Sequence, residues 1–169
     1  GFWNWFYTNH VDVELAGCAW TSGGTPLNTR GLFKFDLSSI PANATILTAK
    51  LSLYSMPTPF LGNFIDANFG TNNALYLERV TANWTPGIVT WQTQPGTDFG
   101  SQITIPHTNQ SFFDLIDIDV KNLVIPMATV ANYGFKIRLQ NEVIYNIRLF
   151  SSSRFADAAK RPKLVITYQ

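Results

Sequence analysis

The chain has 169 residues, the length of one ordinary domain and enough to bury roughly 70% of its unfolded surface. Apolar residues make up 46%, aromatics 14% and charged residues only 14%, which excludes a disordered chain and leaves solubility to Thr, Asn, Ser and Gln. A net charge of +1 supplies no field to gather nucleic acid, and no apolar run reaches the ~18 residues of a membrane-spanning helix.

The first segment, Phe2-Trp3-Asn4-Trp5-Phe6-Tyr7, sets five aromatics in six residues. Read as a strand, it puts Phe2, Asn4 and Phe6 on one face and Trp3, Trp5 and Tyr7 on the other. Such a strand wants burial on both faces. It is open to three assignments: a buried strand of its own domain, a strand added to the sheet edge of a neighbouring copy, or a sugar platform. Residues 1–7 have no basic n-region, so they do not read as an intact signal peptide, and a secreted chain is expected to have lost its signal.

Strand patterns follow along the chain. Residues 32–37 alternate, with Phe33, Phe35 and Leu37 on one face and Lys34 and Asp36 on the other, and stop at Ser38-Ser39-Ile40-Pro41. Residues 46–54 turn Leu47, Ala49, Leu51 and Leu53 inward and Lys50, Ser52 and Tyr54 outward. Residues 74–80 form another strand. In residues 114–119, Leu115, Asp117 and Asp119 share one face and Ile116 and Ile118 the other. Residues 120–129 are the one helix candidate, with Leu123, Val124 and Met127 on a stripe and Pro126 placed to kink or end it. Residues 134–140 alternate Phe135, Ile137 and Leu139 inward with Lys136, Arg138 and Gln140 outward. Residues 143–150 and 163–168 complete the set. Turn-rich stretches occupy residues 21–28, 57–73 and 94–101. Many short strands, Gly/Pro/Asn punctuation and one helix predict an all-β jelly-roll sandwich of two antiparallel sheets with one short helix, folded as a single domain over residues 1–169.

Several blocks resemble, in order, the DNRLRE domain, also described as the disaggregatase-related repeat and as carbohydrate-binding module family 96. Arg30-Gly31-Leu32-Phe33-Lys34-Phe35-Asp36-Leu37-Ser38-Ser39-Ile40-Pro41 resembles its opening strand and turn, and residues 44–54 its second strand. Asn83-Trp84-Thr85 with Val89-Thr90-Trp91-Gln92-Thr93-Gln94-Pro95 is similar to its paired-Trp motif. Residues 113–120, then Asn132-Tyr133-Gly134-Phe135, resemble the next block, and Arg161-Pro162-Lys163-Leu164-Val165-Ile166-Thr167-Tyr168 the closing strand. The likeness covers residues 30–168. Pro86 stands where the family usually has an acidic residue, and residues 1–24 diverge. The resemblance implies a non-catalytic, extracellular jelly-roll module that binds polysaccharide, in some members an acidic one such as alginate.

The chemistry-bearing residues agree with that expectation. His10 and His107 are the only imidazoles, no GxSxG motif occurs, and the single Cys18 reads as a small buried hydrophobe. Asp117 and Asp119 fall about 7 Å apart on a strand face, a spacing that suits an inverting glycosidase but more simply reads as a solvated strand face. No cofactor is expected. Asp12, Glu14, Asp36, Asp117 and Asp119 leave a structural calcium open, without EF-hand spacing or a definite ligand set. Trp84 and Trp91 bracket Pro86-Gly87 and read as hairpin or core packing ahead of sugar contact.

The outward residues Lys34, Lys50, Lys136 and Arg138, joined by Arg148 and Tyr54, would make a basic face with an aromatic edge if their strands shared a sheet. Arginine there could bind a uronate carboxylate through two N–H groups. The sequence thus predicts an extracellular polysaccharide binder acting through Lys34, Lys50, Tyr54, Lys136, Arg138 and Arg148. The alternative is a structural subunit of a surface filament or adhesin, assembling with copies of itself through Phe2, Trp3, Trp5, Phe6 and Tyr7.

Overall fold

A computed structural model describes residues 13–169 and the backbone of Phe2–Trp3. Among the described residues the strands are β1 (Phe2–Trp3), β2 (Glu14–Ser22), β3 (Thr25–Phe33), β4 (Ile46–Leu53), β5 (Asn68–Phe69), β6 (Leu75–Val80), β7 (Thr97–Ile105), β8 (Leu115–Asp119), β9 (Phe135–Leu139), β10 (Asn146–Ser151) and β11 (Lys163–Tyr168), with one helix, α1 (Lys121–Thr129), and a single 3-10 turn at Ala158–Lys160. The larger sheet runs β5-β10-β2-β3-β9-β6-β7, with β1 also paired to β3, and the smaller sheet runs β11-β4-β8. Every pairing is antiparallel. The architecture is the expected β-sandwich.

Alternation places the core. Ala49, Leu51 and Leu53 of β4 and Leu115 of β8 meet Leu75 and Leu77 of β6 and Phe135, Ile137 and Leu139 of β9 between the sheets. Leu123, Val124 and Met127 of α1 seal the same cluster. Pro126 stays inside the helix rather than ending it. Phe33 stacks on Phe135 at 5.2 Å and 21°, and Phe35 meets Phe135 edge-on. The strand over residues 32–37 is shorter than its pattern predicts: β3 stops at Phe33, yet Phe35 and Leu37 still pack against the core as an extended segment.

Two strands fall outside the alternating pattern because they are buried on both faces. From Glu14 to Ala19 every residue of β2 is buried, as is all of β10. One face joins the main core, and the other forms a second cluster in which Ala16, Cys18, Ile147 and Leu149 pack with Met56 and Ala67. Strands buried on both sides read as unbroken apolar runs. The stretch 21–28, expected as a turn, is mostly a hairpin. Ser22 pairs with Thr25, and Gly23 and Gly24 (φ +56° and +82°) form the two-residue turn that right-handed strand twist favours.

The regular alternation predicted for β8, with Asp117 and Asp119 on one face, is interrupted. Asp117 has φ +56°, and the β4–β8 register shifts between Leu51 and Leu53. The bulge turns Asp117 to Ser52, whose Oγ accepts from Asp117 N–H at 3.1 Å. Asp119 instead faces Lys50.

Candidate functional site

The outer face of the larger sheet gathers the polar side chains of β3, β9 and β6. Phe135, Ile137 and Leu139 point into the core, so Lys136 and Arg138 take the opposite face. The register sets Lys136 between Leu32 of β3 and Glu78 of β6, and Arg138 beside Tyr76. Glu78 is fully buried there. Its Oε1 accepts from Arg138 Nε and Nη2 at 3.2 and 2.9 Å, and its Oε2 lies 3.4 Å from Lys136 Nζ. A buried carboxylate without partners would be very unfavourable, so two cations on one carboxylate fit its position. Burial holds the Lys136 ammonium below the ordinary lysine range, opposed by the attraction of Glu78.

A second knot adjoins the first. Arg30 of β3 binds Glu142 through Nε and Nη2 at 2.6 and 2.8 Å and gives Nη1 to Gln94 Oε1 at 2.8 Å. Its guanidinium lies 4.2 Å from the centre of the Trp91 ring. Arg138 repeats the motif, 4.7 Å over Tyr76. Stacked guanidinium–aromatic pairs are worth ~0.5–2 kcal/mol, rising with desolvation. Three cations thus meet two carboxylates, with two aromatic rings, on one side of one sheet.

The six residues predicted as a single basic face do not share one. Lys136 and Arg138 lie on the face just described, but Lys136 is buried against Glu78 rather than outward, and of the two only Arg138 is partly exposed. Lys34 continues past the end of β3 beside Gly134, where it is exposed. Lys50 belongs to the smaller sheet, across the core, with Asp119 Oδ2 at 3.6 Å. Tyr54 follows β4, with Lys160 Nζ 5.5 Å from its ring centre. Arg148 is the clearest correction: it is fully buried, not outward. Register puts it opposite Gly17, on the face that carries Phe150 and Leu15 into the main core. Its Nη1 donates to Pro106 O at 3.0 Å, and burial lowers its pKa to about 10. A strand buried on both faces makes "outward" meaningless for β10.

Of the segment predicted for assembly, Phe2 and Trp3 pair through their backbone with Arg30 and Thr29 of their own chain. Trp5, Phe6 and Tyr7 lie outside the described residues, as does Asp12. Trp84 is half-buried and donates its indole N–H to Tyr133 O at 2.7 Å, which ties its loop to the start of β9. Cys18 is buried, as expected, and burial with the nearby Glu14 charge pushes its thiol up to about 12. Among the described residues, no group of three or more His, Cys, Asp or Glu side chains is arranged to hold a metal ion, and no helix is long and apolar enough to cross a membrane.

Residue patterns alone missed Arg30, Tyr76, Glu78 and Glu142 as members of this face. Arg30 was visible only as part of a family motif. Its partner Glu142 is 112 positions away, and only strand order could bring the two together.

A sheet sandwich with a charged, aromatic-lined outer face has the build of a ligand-binding module. The chain belongs to carbohydrate-binding module family 96, whose model matches residues 18–168. The family is non-catalytic in general, and its partner is carbohydrate. No curated protein matches the chain.

Proposed function

We propose that the chain is an extracellular module that holds an anionic polysaccharide, such as alginate, on the outer face of β3, β9 and β6, without catalysis or cofactor. The observation that supports this is Arg138 lying over Tyr76. A uronate ring offers a carboxylate beside a CH face, and this pair offers a guanidinium beside an aromatic ring. Arginine has five N–H donors. Glu78 takes one from Nε and one from Nη2, and Leu139 O takes one from Nη1, so two are left for a ligand. The surplus of cations over carboxylates on this face favours an acidic guest. Function would come from positioning and from repetition along a polymer. A single site of this kind is expected in the micromolar to millimolar range, roughly −8 to −4 kcal/mol.

Affinity electrophoresis through gels containing alginate, polygalacturonate or neutral glucan tests the reading. The chain should be retarded by a uronate polymer. Arg138→Lys keeps a charge for Glu78 but loses the planar fork, so it should weaken retardation by about tenfold, or ~1.4 kcal/mol, with little change in melting temperature. No retardation by any polyanion, or undiminished retardation of Arg138→Lys, would sink it.

A further inference from the structure

At the β5–β10–β2 end of the larger sheet, three rings form an exposed group. Trp20 meets Tyr145 edge-on at 5.1 Å and 84°, and Phe69 at 5.8 Å and 71°. Phe69 and Tyr145 are 41% and 49% exposed, and Val143 and Ile144 beside them are also exposed. Trp20 is anchored below, against the second apolar cluster. We propose that Trp20, Phe69 and Tyr145 form a second carbohydrate site, one that takes the CH face of a neutral pyranose chain. The inference rests on the carbohydrate-binding character of the family, and not on the uronate reading of the basic face.

Three observations support it. Tyr145 has φ +69°, a conformation natural to glycine and unusual for an aromatic residue. The structure holds it there: Tyr145 N–H donates to Ala19 O at 2.8 Å, and a Cβ at Gly70 would collide with Tyr145 O and with Asn146. Residues kept in such conformations cluster at ligand sites. The segments that carry the rings, residues 15–29, 67–77 and 143–147, contain no charged residue, and the side chain just before the last of them, Glu142, is a carboxylate, which would repel a uronate. Finally, the apolar rings have polar neighbours. Asn72 N–H donates to Asn146 Oδ1 at 2.8 Å, which sets Asn72 beside the ring group. Asn72 Oδ1 is taken by Ala74 N–H, while its Nδ2 has no partner among the described residues and is available to a sugar hydroxyl. A ring face with an amide donor at its edge matches the two-sided chemistry of a neutral sugar.

The test is NMR titration of the whole chain, labelled at the Trp indoles, with cello-, xylo- and manno-hexaose and, separately, an alginate oligomer. The Trp20 resonance, assigned with Trp20→Phe, should shift with at least one neutral hexaose. Tyr145→Gly deletes the ring and suits the positive φ, so the fold should survive while neutral binding falls at least tenfold. Phe69→Ser, at an exposed position, should weaken it too. Both variants should bind the alginate oligomer as the parent does. Neutral binding that is absent, or unchanged in Tyr145→Gly and Phe69→Ser, would overturn the proposal. So would a concentration-dependent dimer abolished by Tyr145→Gly, which would assign the patch to a second copy. Loss of alginate binding alone, in Arg138→Lys, would bear on the basic face and leave this site standing.

Discussion

Two residues carry the sharpest energetic consequences. Glu78 compensates two cations from a fully buried position. Glu78→Gln should cost ~3 kcal/mol, because breaking a buried ion pair leaves charge uncompensated. Urea unfolding would read this as a lowered midpoint, and adding Lys136→Met in the same background should recover part of the loss. An unchanged midpoint for Glu78→Gln would mean that the network is solvated. Cys18 is the second. Its thiol is raised from 9.0 to about 12 by burial and by Glu14. The unfolded thiol therefore ionises before the folded one, so folding stability falls as pH rises from 9 towards 12. Cys18→Ala should flatten that alkaline slope. At pH 8 the native thiol should resist a disulfide reagent that reacts freely in denaturant. Rapid reaction of the native protein would contradict its placement.

At the level of elements, legibility followed solvent exposure. β4, β6, β9 and β11 each keep one face in the core, and the alternation of β4 and β9 is legible except at two positions of β4: Leu47, expected inward, is 40% exposed while Ile46 is buried, and Ser52, expected outward, is buried. β2 and β10 are covered on both sides, so Leu-Ala-Gly-Cys-Ala-Trp and Asn-Ile-Arg-Leu-Phe-Ser carry no period to read. Arg148 was misassigned for this reason: its strand was found, but its environment was not. The bulge at Asp117 shows a second limit, since a single positive φ reverses every inside–outside assignment that follows. Where β9 begins, Gly134 has φ +81°, and a Cβ there would strike Phe33 O and Lys34. Gly134→Ala should therefore destabilise by more than ~1 kcal/mol, read as a lower melting temperature. A neutral result would mean that the β3–β9 junction can open at little cost.

For the whole molecule, the sandwich and its core were within reach of the sequence, because two-sheet packing is written in local alternation. The face was not, because it depends on strand order. Lys136 and Arg138 come to one side of the larger sheet, while Lys34 lies past the end of β3 and Lys50 goes to the smaller sheet across the core. Trp20, Phe69 and Tyr145 are separated along the chain, in segments without a clear pattern, and meet only through the pairing of β5, β10 and β2. Both surfaces are therefore products of topology, and both bear on one claim, that this family member holds polysaccharide on a rigid sheet. The most direct measurement is titration calorimetry of the intact chain against soluble uronate and neutral polysaccharides at low salt. Saturable heat is expected with at least one polymer, at micromolar to millimolar affinity, roughly −8 to −4 kcal/mol. Heats no larger than dilution across all of them, from a protein that is folded and monodisperse, would contradict it.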